Sequence, residues 1–249
     1  MANPVIFGPT SAWYGGGYDW TGAINKMALK VGRAEVDDAR CGDDIDAKFP
    51  GILMPSAEMS GFFAAGADEP DPTLFDRIKQ TFTGWPNSFR AEDASGVWYT
   101  LMGCPFAYEL GAAHGEALPF MAKLLARSGQ AGRVYRQSLG LAKALRTATT
   151  TGTGLQLGFV TATQRLVSTV HLFAITGGSL TVTIESDATS GFPTPVVRIT
   201  HAAMTTAPNR EVVEHDNTIG ADDWYRVVAT YTPGTNFTAA VLLSIENRV

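Results

Sequence analysis

Leu166-Val167-Ser168-Thr169-Val170-His171-Leu172-Phe173-Ala174-Ile175, then Gly177-Gly178-Ser179, then Leu180-Thr181-Val182-Thr183-Ile184-Glu185, is the stretch that decides the fold class. Both runs are rich in β-branched and large apolar residues. The second alternates apolar with polar side chains at the two-residue period of a pleated strand. The glycine pair between them is turn chemistry, because glycine reaches positive φ without a Cβ clash. The pattern recurs to the end of the chain. Residues 155–160, 196–200, 224–231 and 237–245 read as further strands. Ser190-Gly191-Phe192-Pro193, Ala207-Pro208-Asn209 and Thr232-Pro233-Gly234-Thr235 punctuate them. Short strands at this spacing predict a β-sandwich.

Upstream the signal is sparser but of the same kind. Residues 23–31 alternate apolar with polar, and Val97-Trp98-Tyr99-Thr100-Leu101-Met102 is an aromatic and β-branched strand ending at Gly103. One helix is predicted near 71–83. Asp71-Pro72-Thr73 supplies a cap and a first-turn proline, and Leu74, Phe75, Ile78 and Phe82 follow at helical spacing. Gly84-Trp85-Pro86 is its stop signal. Residues 118–125 fit either a short helix or a strand. The small polar run Thr147-Ala148-Thr149-Thr150-Thr151-Gly152-Thr153-Gly154 reads as a linker or an exposed strand edge. The expected organisation is therefore mainly β: a β-sandwich or barrel module with one helix over 1–146, then a second β-sandwich over 147–249.

Composition narrows the function classes. The chain has 249 residues, 45% of them hydrophobic, with a net charge of −5 and a pI near 5.4. A protein that grips nucleic acid by neutralising phosphates carries a basic surplus, which is missing here. No apolar run approaches the ~18 residues that span a bilayer, and no signal peptide is visible, so no membrane partner is expected. Cys41 and Cys104 lack any C-x-x-C spacing and read as buried thiols of a reducing compartment. Charge alternates along the chain. Most acid lies before Tyr108, whereas residues 111–165 hold Glu116 alone against Lys123, Arg127, Arg133, Arg136, Lys143, Arg146 and Arg165. Complementary faces of a self-assembling subunit produce that pattern, and so does an ordinary solvated surface.

Catalytic and metal signatures are absent from the sequence. His114, His171, His201 and His215 show no H-x-x-x-H or H-E-x-x-H spacing. His171 and His201, with Glu214 or Asp216 nearby, are the best metal reading, set against ordinary satisfied histidines. Gly15-Gly16-Gly17 lacks the lysine and helix of a phosphate-binding loop. Asp37, Asp38, Asp43, Asp44 and Asp46 crowd one segment without the spacing of a calcium loop, so a solvated acidic loop is expected. Asp222-Asp223 sits beside Trp224, but neighbouring strand residues point to opposite faces. No catalytic residue, cofactor or metal is assigned.

Asp19-Trp20-Thr21-Gly22-Ala23-Ile24-Asn25, the following alternating strand, Gly42-Asp43-Asp44, Phe49-Pro50-Gly51, Ala57-Glu58-Met59-Ser60-Gly61-Phe62 and Asp71-Pro72 stand in this order along the chain. With them, between residues 15 and 140, the chain resembles the tail tube proteins of long-tailed bacteriophages. Tyr108-Glu109-Leu110-Gly111-Ala112-Ala113-His114-Gly115-Glu116 and Arg127-Ser128-Gly129 extend it, while Cys41 stands where the family often has Phe or Tyr. The resemblance implies homohexameric rings stacked into a tube, with sheets from each subunit closing one barrel. It implies an acidic lumen through which DNA slides during genome ejection, and partners among other tail proteins. It places the chain in the virion tail, and in the host cytoplasm during assembly. The segment 31–49, with Asp37, Asp38, Asp43, Asp44 and Asp46, would be the loop that reaches the next ring, and the second module would face outward. Two alternatives stand beside it. One is a capsid decoration or tail-tip protein on the same β domain. The other is a carbohydrate-binding sandwich in which Trp224, Tyr225 and Phe192 stack on sugars, against the reading that they are core residues.

Overall fold

The computed structural model describes residues 11–37, 48–63, 70–79, 84–90, 96–114, 117–126, 133–232 and 234–248. In chain order the elements begin with β1 (Ala12–Gly15), β2 (Tyr18–Asp19), β3 (Ile24–Lys30), β4 (Arg33–Asp37), β5 (Lys48–Leu53) and β6 (Ser56–Phe62). The helix α1 (Pro70–Ile78) follows, then β7 (Trp85–Arg90), β8 (Trp98–Leu110), β9 (Pro119–Ala126) and β10 (Val134–Arg146). The remaining strands are β11 (Thr150–Thr151), β12 (Leu155–Gln156), β13 (Gln164–Thr176), β14 (Leu180–Asp187), β15 (Val196–Thr200), β16 (Asn209–His215), β17 (Trp224–Tyr231) and β18 (Asn236–Asn247). The chain is mainly β with one helix among the described residues, as the sequence predicts.

Two compact units divide the chain discontinuously. Unit 1 takes residues 1–21, 86–100 and 135–249, and unit 2 takes residues 22–85 and 101–134. This division differs from the contiguous modules 1–146 and 147–249, because β10 continues to Arg146 and pairs with β18 (Arg146↔Phe237). Backbone pairing over a long sequence separation, invisible to composition, assigns β10 to unit 1.

Unit 1 is a sandwich. The smaller sheet runs β11-β17-β14-β15, with β12 also on β17, and the larger runs β16-β13-β18-β10-β8-β7-β1-β2. Between them lie Leu166, Val170 and Leu172 of β13, Val182 and Ile184 of β14, Val227 of β17, and Val241 and Leu243 of β18. The other face of β18 is also covered: Ala240 and Leu242 meet Tyr14 and Trp98. A strand with both faces covered needs no polar alternation, which is why 237–245 reads as a nearly continuous apolar run. The Gly177-Gly178 turn has the expected positive φ values of 71° and 67° and carries the chain from β13 in one sheet to β14 in the other.

Unit 2 holds a four-stranded antiparallel sheet, β3-β6-β9-β8, with β4 and β5 forming a separate ribbon. Ala57 and Met59 of β6 and Phe120, Ala122 and Leu124 of β9 point to the buried side. Helix α1 contributes buried Leu74, and Tyr108 meets Phe75 of the helix edge-on and stacks on Phe120 of the sheet (ring centroids 6.5 and 5.8 Å). Several local expectations change here. The helix spans Pro70–Ile78, and the expected extension through Phe82 lies outside the described residues. Trp85-Pro86 opens β7 instead of only stopping a helix, since the Trp85 ring is buried under the Arg77 guanidinium at 5.0 Å. Residues 118–125 resolve as strand β9, and 155–160 form only the two-residue β12 plus a bridge from Val160 to Ile219.

Candidate functional site

Two histidines are held by serines deep in unit 1. His171 Nε2 lies 2.8 Å from Ser88 Oγ, which lies 2.7 Å from Thr100 Oγ1, and Thr100 donates to Gln137 Oε1 at 2.6 Å. Thr100 has one proton and gives it to Gln137, so Ser88 donates to Thr100 and accepts from His171. That chain requires the neutral imidazole protonated on Nε2. Burial pushes the His171 pKa down to about 3, with the Arg210 charge adding to the effect.

His201 forms a second arrangement. Its Nε2 lies 2.8 Å from Ser168 Oγ, and its Nδ1 lies 2.9 Å from Glu211 Oε2. The distances are those of a nucleophile–base–carboxylate relay. Access is not, because Ser168 is wholly buried and His201 is 1% exposed, so the hydroxyl has no path to a substrate carbonyl. The relay ties the segment after β15 to strands β13 and β16, and the His201 hydrogen bond holds the Glu211 carboxyl below its usual range. Ser168→Ala leaves His201 Nε2 buried without its partner and is expected to cost about 1–3 kcal/mol, read as a lowered urea midpoint at unchanged m-value. Nothing in the sequence spacing couples positions 168, 201 and 211, which meet only through strand register.

The metal reading does not survive this geometry. Ser168, bonded to His201, and His171 are three residues apart on β13 and so face opposite sides of the sheet. Glu214 is engaged elsewhere, accepting from Tyr135 Oη at 2.8 Å and from Arg165 Nη1 at 2.7 Å. No cluster able to hold a metal ion exists among the described residues.

In unit 2 the face of the sheet away from α1 is solvated. Glu58 sits at its centre, 3.1 Å from Lys30 Nζ and 3.7 Å from Lys123 Nζ, and the Lys30 ammonium lowers its pKa. Ser56, Ser60, Lys26 and Glu109 share that face by register. Its charged side chains nearly balance, three lysines against two glutamates, so this surface is not strongly acidic. Among the described residues strand β3 pairs with β6 alone, and its other edge carries no strand. Of the acidic segment, Asp37 ends β4 opposite Lys48 of β5, while Asp38, Asp43, Asp44 and Asp46 lie outside the described residues, as does Cys41. Cys104 lies on β8 outside any disulfide among the described residues, and it is half-buried where a buried thiol was expected.

The three aromatics expected on a sugar-binding surface separate. Tyr225 is a core residue, fully buried, with its hydroxyl bonded to the Asp222 carbonyl at 3.2 Å and its pKa raised to about 12 by burial. Trp224 lies on the opposite, outer face of β17 and is only partly buried. Phe192 is 7% exposed and adopts φ 50°, an uncommon conformation for a bulky residue.

No protein-family profile matches the sequence, and no curated protein does. Among solved structures, the chain is similar to the Dit hub adsorption protein of phage SPP1 (11% identity, TM-score 0.33, covering 95% of this chain and 99% of that one). It is also similar to the tube-terminating cap of the anti-feeding prophage (14%, 0.37, 55% and 95%) and to a chain of the native gene transfer agent virion (8%, 0.32, 46% and 85%).

Proposed function

We propose that this chain is a structural virion protein, a tail tube subunit whose hexameric rings stack around a DNA-conducting lumen. The observation that carries the reading is the open edge of unit 2. Strand β3 spans seven residues, Ile24–Lys30, pairs on one side only among the described residues, and belongs to a sheet with one face on a helix and the other in water. An unpaired edge of that length invites another strand. A head-to-tail repeat of such edges closes into a ring if the rotation between copies divides a full turn. The order of motifs from Asp19 to Gly129 supports the same assembly. So does the hairpin β4–β5, which stands apart from the main sheet as an inter-ring loop would. A lined channel with nearly balanced charge would let a polyanion move without neutralising its phosphates.

The test is mass by light scattering across a concentration series, with negative-stain images of the same sample. Rings or tubes with a central hole are the expected result. A species that stays monomeric at the highest concentration and shows no rings would sink the proposal.

A further inference from the structure

The outer face of the smaller sheet in unit 1 carries a feature that ring assembly does not require. Four of the five tryptophans, Trp13, Trp20, Trp85 and Trp98, are buried, and Trp224 is the exception. Its neighbours are ordered around it. A Cβ at Gly154 would lie 3.6 Å from the Trp224 ring and 2.9 Å from the Phe192 ring, so the two aromatics converge over a glycine that leaves them room. The Arg226 guanidinium sits over Phe192 at 4.5 Å and is held by Glu185, with Nε and Nη2 each 2.8 Å from Oε2. On the other flank Gln156, cross-strand from Trp224, donates to Asp223 Oδ2 at 2.7 Å and remains exposed. The strained Phe192 is braced by the buried Asp187 carboxylate, which accepts from the backbone N–H of Thr189 at 3.0 Å and of Thr194 at 2.8 Å. Strain held in place by a buried anchor marks a shaped surface.

From this juxtaposition of a part-exposed Trp224, the Gln156–Asp223 amide–carboxylate pair and the braced Phe192–Arg226 stack, we propose a surface site for a neutral oligosaccharide. The apolar C–H face of a pyranose ring stacks on an indole, and its hydroxyls pair with pre-oriented amide, carboxylate and guanidinium groups at the rim. The ligand is neutral because the cation of the array, Arg226, is already paired with Glu185, while Asp223 adds negative charge that repels an acidic sugar. Tyr225, one residue along, takes no part.

Intrinsic fluorescence of the full chain reports the site directly, since the other four indoles are buried. Titration with cellohexaose or chitohexaose is expected to give a saturable change with a dissociation constant on the order of 0.01–1 mM. By calorimetry, Trp224→Ala should weaken binding at least about tenfold, and exposed Gln156→Ala several-fold with unchanged folding. Phe159→Ala, another exposed aromatic, should leave affinity unaltered. Absence of a saturable signal from both hexasaccharides up to about 10 mM overturns the proposal. Equal affinity in both Trp224→Ala and Gln156→Ala does the same, and tighter binding of hexagalacturonate overturns its neutral class. Should Trp224→Ala not fold, Gln156→Ala carries the test alone. Ring assembly is scored separately, in the same preparations, and its outcome does not alter this one.

Discussion

Gly61→Val is expected to dissolve the four-stranded sheet of unit 2 and to leave the sandwich of unit 1 standing. Gly61 lies on β6, across from Ile24 on one side and Phe120 on the other. A Cβ there would come within 1.9 Å of the Ala23 carbonyl oxygen and 2.9 Å of Phe120 Cε1. A flexible side chain turns aside from such a clash, but a backbone oxygen moves only if β3 moves with it. Overpacking a core ordinarily costs ~1–3 kcal/mol, and a backbone clash belongs above that range. Because domains hold only ~5–15 kcal/mol in reserve, unit 2 should lose cooperative folding. Hydrogen exchange would show amides of β3, β6 and β9 losing protection while β13 and β18 keep theirs. Gly61→Ala should be nearly as damaging, since the offending atom is the Cβ itself. Native protection in both variants would mean that β3 and β6 do not approach as described. If rings form through β3, both variants also abolish them.

Acidification is expected to weaken unit 1 steeply through His171. Above pH 6.5 this imidazole is neutral in both folded and unfolded chains and contributes nothing to the pH dependence. Below 6.5 the unfolded chain takes up a proton that the buried ring refuses until about pH 3, so stability falls across that window. Each pH unit removes ~1.4 kcal/mol, and the whole window about 4 kcal/mol. Protonation would leave the Ser88–Thr100–Gln137 chain as it is, because Nε2 already donates, but it would add an Nδ1–H at a buried position with no acceptor among the described residues. Glu211 and Asp222, with carboxyl pKa values lowered by their hydrogen bonds, lose stability in the same direction at lower pH, whereas Glu246, raised by burial, opposes them. The clean window is therefore pH 6.5 to 5, above most carboxylate titration. Urea unfolding there should show a slope that His171→Gln largely removes, since glutamine donates to Ser88 without titrating. Partly buried His215, also shifted down, accounts for a residual slope. An unchanged slope in His171→Gln would place the acid sensitivity elsewhere.

The strands of the C-terminal half were legible because each carries its own periodicity: Val196–Thr200 and Trp224–Tyr231 fall where the residues predict. Strand β16 was not, since Asn209-Arg210-Glu211-Val212-Val213-Glu214-His215 is half-buried on an edge and reads as polar surface. Strand β10 was hidden for a related reason. Its charged residues Arg136, Lys143 and Arg146 suggested a basic stretch before a boundary, but pairing with β18 sets them in a central strand, with Lys143 paired to Asp19. Helix α1 was visible through its proline and acidic first turn, and the expected reach toward Phe82 falls outside the described residues.

Sites were less legible than strands. Trp224 and Tyr225 are neighbours in sequence and opposites in space, and only the register of β17 against β14 says which one reaches water. By itself the sequence determined the fold class, the one helix among the described residues and the turns, because propensity, period and glycine chemistry act over a few residues. Tertiary structure decided which segments share a unit, which histidine meets which serine, and which aromatic is exposed. Those outcomes depend on hydrogen-bond register between strands far apart in the chain, and a shift of one residue there would exchange the buried and the exposed face.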